Sequence, residues 1–286
     1  MIALLGLAAS PPVLAQERSA ADPVQSQEII VEGDRASEEK AVRQLAGDIT
    51  RRPPIDKPVS RFYDPFCLHI IGLKSDYAIA IGDRIKDNAR AAGAPVAAEN
   101  CTPNALLIFT KNGRSTVEEL REEEPWLFTN LLDYEYRRII DGDIAAHAWQ
   151  TTELRGVDGK KLEYQIINGR EVAVNNQYQT GRLNAPNRLD MVGAVVLIDV
   201  AYLPGKTLHQ LADYASLRLL ASVDELPPEK AGSLDTILNL FVAPENAPDE
   251  LTRFDRGYLR AVYGLRPNAG SLSIRDAAVR GYFNED

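Results

Sequence analysis

At 286 residues, with 45% apolar and 26% charged side chains, the chain has the balance of a globular protein of one large or two modest domains. Its formal net charge of −9, with no block of lysines and arginines to offset it, excludes a nucleic-acid backbone as the partner.

The N-terminus speaks to compartment. Met1 to Ala15 carries no charge: Ile2 to Ala9 is a short apolar run, Pro11-Pro12 breaks it, and Val13-Leu14-Ala15 fits a small-residue cleavage site before Gln16. Residues 1–15 are therefore expected to be a signal peptide, although no Lys or Arg precedes Arg18. Residues 16–27 read as a flexible leader. No cysteine follows the apolar run to carry a lipid, and no later stretch approaches membrane-spanning length. The expected location is periplasmic or secreted, without a transmembrane anchor.

Glu28 to Glu32, with Ile29-Ile30-Val31 at its centre, reads as a short strand, and Ser37 to Ile49 as a helix turning Ala41, Val42, Leu45 and Ile49 inward. The prolines of Arg51 to Pro58 form a stiff connector and the internal boundary, so residues 28–58 precede a main α/β domain over 59–286. Within it, Cys67-Leu68-His69-Ile70-Ile71-Gly72-Leu73 and Asn104 to Thr110 are strand-like. The helix between them, Ser75 to Ala92, carries Tyr77, Ala80, Ile81, Ile85 and Ala89 on one side. The two strand starts lie side by side only if the strands are parallel, which makes Cys67 and Cys101 a candidate disulfide; two unpaired buried thiols are the alternative. A charged helix starts at Ser115, capped by Ser115 with Glu118 three residues on. Pro125 interrupts it, and Trp126 to Ile140 resumes through Leu127, Leu131, Tyr134 and Ile139. From Asp141 to Asp190, glycines punctuate short apolar pieces that fit hairpins or an elaborated loop.

The strongest pattern closes the chain. A strand from Val192 to Val200 leads through Pro204-Gly205 into a helix from Lys206 to Ser222, with Leu208, Leu211, Ala212, Ala215 and Leu219 as its buried stripe. Thr236-Ile237-Leu238-Asn239 follows, and then Leu251 to Gly264, in which Thr252 is placed as cap, Asp255 at the third helical position and Gly264 as a left-handed terminator. In order and spacing this resembles the C-terminal half of the metzincin and matrixin-type zincins. The closing helix matches their L-[ST]-x-x-D-x-x-x-[IL]-x-x-[LV]-Y-G pattern without a gap. Leu238 stands where the family carries its turn methionine. The resemblance implies a zincin-like mixed α/β (α+β) fold with an active-site-type helix and a C-terminal helical segment.

It does not carry the chemistry across. Zincin hydrolysis needs two histidines one helical turn apart, a third ligand just beyond, and a glutamate as general base. His209 falls on the first histidine and Asp213 on the second. Gln210 replaces the glutamate, Ser216 the family's glycine and Leu219 the third ligand. His209 and Asp213 are the candidate metal ligands if zinc binds at all; otherwise they are ordinary i,i+4 hydrogen-bond partners. His69 and His147 are the remaining histidines, both read as structural. Gln210, Tyr214 and Arg218 are the cleft candidates, with Tyr214 read alternatively as a flank residue of the core. There is no G-x-S-x-G elbow, no phosphate-cradling glycine loop and no calcium loop. Three functions are compatible with these residues. One is an exported, non-catalytic zincin-like domain with a binding or structural role in the cell envelope, a protein or peptide being the partner if it binds one, without a cofactor. The others are a metal-dependent hydrolase built on His209 and Asp213, and an unrelated α/β envelope protein.

Overall fold

A computed structural model of the chain describes residues 23–51, 58–129, 131–141, 145–175, 187–231 and 235–284. The expected signal peptide, most of the leader and the Arg52–Lys57 part of the connector lie outside them. The chain divides into two compact units, 1–38 and 39–286. Helix α1 (Pro23–Ile49) takes up the described part of the first unit and enters the second. Glu28 to Glu32 is thus helical and not a strand. A β-branched residue costs only a few tenths of a kcal/mol in a helix, and three of them among Glu, Gln, Ser and Ala do not stop one. Past residue 39, Val42, Leu45 and Ile49 are buried as expected.

The second unit is mixed α/β. Strands β1 (Leu68–Ile71), β2 (Ala105–Thr110), β3 (Ala146–Gly156) and β6 (Asn187–Asp199) form one sheet in the order β1-β2-β6-β3. The first three strands are parallel and β3 runs antiparallel along β6 at the edge. Helix α2 (Ser75–Ala92) makes the crossover between β1 and β2, which brings Cys67 beside Cys101. The two are disulfide-bonded, with Cα atoms 6.1 Å apart. Ile81, Ile85 and Ala89 of α2 are buried, whereas Tyr77 and Ala80 point to solvent.

The central strands are buried on both faces, as a layered sheet requires. On one face Leu107, Phe109, Val196, Ile198 and Ala148 join the main core with α2, α5 (Leu208–Leu220) and α7 (Arg253–Gly264). On the other, Ile108, Val195, Leu197 and Trp149 meet Val117, Leu127 and Ile139. These last come from α3 (Gly113–Glu123), a 3-10 turn at Pro125–Phe128 and α4 (Asp133–Ile140). Two expectations change here. Asn112, not Ser115, caps α3, its side chain accepting from the Ser115 amide at 3.1 Å. And the pattern from Trp126 to Ile140 is broken into two pieces, leaving Tyr134 exposed.

The weakly patterned stretch after Asp141 contains β3 and a hairpin, β4 (Glu163–Ile167) against β5 (Arg170–Val174). Asn168 and Gly169 both take positive φ, 52° and 75°, which is the two-residue turn whose twist suits a hairpin.

The closing helix α7 starts as expected. Thr252 accepts from the Asp255 amide at 3.2 Å and Asp255 returns a bond from the Thr252 amide at 3.0 Å. It does not end as expected. Gly264 is still helical, Leu265 beyond it is extended, and the C-terminal carbonyls of Val262 and Leu265 accept from Arg61 at 2.5 and 2.7 Å. A distant guanidinium takes the place of a left-handed glycine. Helix α8 (Leu272–Phe283) packs across α7 where Gly257 meets Gly281; a Cβ on Gly257 would sit 2.8 Å from the Gly281 carbonyl carbon, so the two backbones approach directly.

Candidate functional site

Helix α5, where a zincin would hold its metal, is buried from Gln210 to Leu220. It begins in a capping box that uses both ends of Gln210. The Gln210 amide donates to the Thr207 hydroxyl at 3.1 Å, and its side-chain oxygen accepts from the Thr207 amide at 3.0 Å. The Gln210 side-chain nitrogen then donates to the Pro248 carbonyl at 3.0 Å. Gln210 is therefore a cap and a strut.

Asp213 is fully buried and saturated. Arg84 of α2 donates to its two oxygens from Nε and Nη2 at 2.7 and 2.6 Å, Asn88 donates at 2.7 Å and the Leu251 amide at 2.8 Å. These bonds hold the Arg84 guanidinium above its ordinary pKa, ahead of a smaller opposing effect of burial. Asn88 also donates to Ser216 at 2.9 Å. The expected His209–Asp213 pair is not formed: among the described residues no hydrogen bond joins them, and His209 is exposed at the first turn. His69 is exposed on β1, at the far edge of the sheet. His147 is buried on β3 with Nδ1 against the Ile139 carbonyl. Among the described residues no three side chains of metal-binding type converge.

The turn segment and the closing helix are coupled through one carboxylate. Asp255 accepts from the Thr236 hydroxyl at 2.6 Å and from the Ile237 amide at 2.8 Å, besides its capping bonds. Leu238, next in the chain, is buried at 3% exposed. Burial outweighs those four donors and pushes the Asp255 carboxyl up to about 6. Because this value lies above the ordinary 3.8, the native state keeps the proton where the unfolded chain has lost it. The resulting stability is present below pH 4 and is lost as pH rises through 6, by about 3 kcal/mol in all. Urea unfolding of the native chain and of Asp255→Asn at a series of pH values should show their stability difference falling by that order across this window. A difference independent of pH would contradict the buried acid.

Tyr214 and Leu238 share a small cavity of about 170 Å³ beside α5, with Ala145, Ala146, Tyr202 and Phe241 of the short helix α6 (Asn239–Val242). The Tyr214 ring stands edge-on to Phe241 at 4.8 Å between centroids, and burial pushes its hydroxyl up to about 12. Both readings of Tyr214 meet here, since it is 3% exposed and still lines the cavity. Arg218 is 2% exposed and, like Tyr214, is buried while still lining a cavity, the second one of about 370 Å³. Its guanidinium lies 3.5 Å from Glu225, and Nε and Nη1 have no hydrogen-bond partner among the described residues. Arg84 and Asn88 were not singled out from the sequence, although their i,i+4 spacing on a recognised helix was an available signal.

Comparison with protein-family models, with curated proteins and with solved structures finds no match to this chain.

Proposed function

We propose that this chain is an exported binding protein on a degenerate zincin-like scaffold, in which the active-site-type helix α5 organises the core and carries no hydrolytic chemistry. The observation that carries this reading is the state of Asp213: its carboxylate, at the second histidine's position, is taken up by Arg84, Asn88 and the Leu251 amide. Gln210 at the general-base position is committed to its cap, and an amide cannot take a proton from water. The disulfide supports export to an oxidising compartment. Among the described residues no helix is long and apolar enough to cross a membrane.

The partner class is an extended peptide. The ladder bond from the Asp199 amide to the Ala145 carbonyl puts the main-chain groups of Ala146 on the side of β3 away from β6; those of Ala148 face the same way, but its carbonyl already accepts from Arg51 at 3.4 Å. β3 is the outer strand, and the Tyr214–Leu238 cavity opens beside Ala146, so a strand added there would place one apolar side chain in the cavity.

Two measurements test the proposal. Mature protein loaded with zinc and dialysed should retain far less than one equivalent by mass spectrometry, with the same result for His209→Ala. Near-stoichiometric zinc lost in that variant would restore the hydrolase. Selection from a random-peptide library should enrich sequences with a large apolar residue whose affinity falls at least about tenfold in Phe241→Glu. Enrichment of nothing, or equal binding by the variant, would reject the peptide partner.

A further inference from the structure

Tyr214 is 3% exposed and packs its ring against Phe241, yet its hydroxyl has no hydrogen-bond partner among the described residues. Side-chain polar atoms that are both sealed from solvent and unpartnered occur among those residues only at Arg218 Nε and Nη1. The Tyr214 oxygen is not one of them, so it keeps surface open to the cavity it lines. Burial holds the proton on this oxygen at any ordinary pH, which makes it a donor as well as an acceptor. An occupant that drives water from this cavity must replace the bonds that water makes to the hydroxyl.

Size and charge narrow the occupant. A cavity of about 170 Å³ is close to the roughly 150 Å³ void that holds one benzene ring. Tyr202, Tyr214 and Phe241 give it aromatic walls, and the Tyr214 and Phe241 rings, 89° apart, already show the edge-to-face packing that a further ring would extend. Among the described residues Glu225 carries the only charge in the lining, and the Arg218 guanidinium 3.5 Å from it balances that charge. Lys206 stands 5.3 Å from the centroid of the Phe241 ring and Arg218 5.9 Å from that of Tyr214. Both rings thus have a cation already, and a cationic occupant would meet no uncompensated carboxylate. An anionic one would meet Glu225. The occupant is neutral.

From these observations we infer that the Tyr214 cavity is a subsite for one uncharged phenol ring, its hydroxyl exchanging a hydrogen bond with that of Tyr214, and that the ring is a tyrosine side chain of the peptide added to β3. The inference rests on the peptide reading and narrows it, from a side chain that is merely apolar to one with a polar tip. Phenylalanine would fill the same walls but strip the Tyr214 hydroxyl of its water and return nothing.

Ligand-observed NMR titration of the full chain with p-cresol, toluene and benzylamine tests the subsite apart from any peptide. p-Cresol should bind saturably, and the charged benzylamine at least about tenfold more weakly. In Tyr214→Phe, which keeps the ring and deletes only an unpaired group, the ratio of p-cresol to toluene affinity should fall at least about fivefold, the loss of one net hydrogen bond. No saturable p-cresol binding, an unchanged ratio, or benzylamine as tight as p-cresol would each overturn the phenol subsite. Library-selected peptides then test the source of the ring. They should carry a tyrosine whose replacement by phenylalanine weakens binding at least about fivefold to the native chain and not to Tyr214→Phe. Peptides that bind through leucine or phenylalanine instead would overturn the tyrosine and leave the peptide reading standing. Saturable p-cresol with no peptide enriched would reject the peptide reading, and the tyrosine with it, and leave a site for a free phenol.

Discussion

Arg84→Met is expected to destabilise the protein by about 4 kcal/mol, more than Asp213→Ala, although the two side chains form one ion pair. The asymmetry follows from burial. Removing Arg84 leaves a carboxylate with no solvent exposure and only the Asn88 and Leu251 donors. Removing Asp213 frees an arginine that is 27% exposed and already 3.3 Å from Glu250, so water and that carboxylate receive it. The cost of Asp213→Ala is then about 2–3 kcal/mol, arising mainly from the orphaned Leu251 amide and Asn88. Arg84→Met combined with Asp213→Leu should cost about 2–3 kcal/mol and not the sum of the two, because the buried charge is gone while the Leu251 amide and Asn88 still lack their acceptor. A double-mutant cycle by urea denaturation measures this, and additive single-variant effects would show that the pair is not a unit. The same cycle bears on function, since a side chain that holds the fold is not available to hold a metal.

Removing the disulfide should have an effect of similar size by a different route. Cys67 and Cys101 are 34 residues apart, and closing a loop of that length stabilises by about 4 kcal/mol through the unfolded chain. Cys67→Ser with Cys101→Ser should therefore lower the melting temperature by roughly 10 °C. The β1–α2–β2 unit should survive, because Ile81, Ile85 and Ala89 still bury against the sheet and Asn104 still accepts from the Cys67 amide. A change in near-ultraviolet dichroism before unfolding would show that the bridge sets native geometry as well.

What was legible in the sequence had local causes. The parallel β1–α2–β2 unit and its disulfide followed from two apolar runs about a helical period. The Thr252–Asp255 capping box and the β6–α5 succession are likewise written in neighbouring residues. The misreadings are local signals overruled by context. Ile29-Ile30-Val31 favours a strand by propensity and is helical inside a long helix. Gly264 is a good terminator, but Arg61 satisfies the carbonyls first. The candidate site was legible only as positions. Gln210, Asp213, Tyr214 and Arg218 all lie on α5 as expected, but what they do depends on Pro248, Arg84, Phe241 and Glu225, and no periodicity links those partners to them.

The bonds from Arg61 to Val262 and Leu265, and from Thr50 to Tyr258, span 201, 204 and 208 residues. At ordinary rates of synthesis, residue 265 follows residue 61 from the ribosome by roughly 10–40 s. Until it arrives, Phe62, Ile49 and the α5 face of the sheet have no closing helix to bury them. The nascent chain therefore cannot close this core until nearly all of it has been made, and its longest-range bonds are among the last to form.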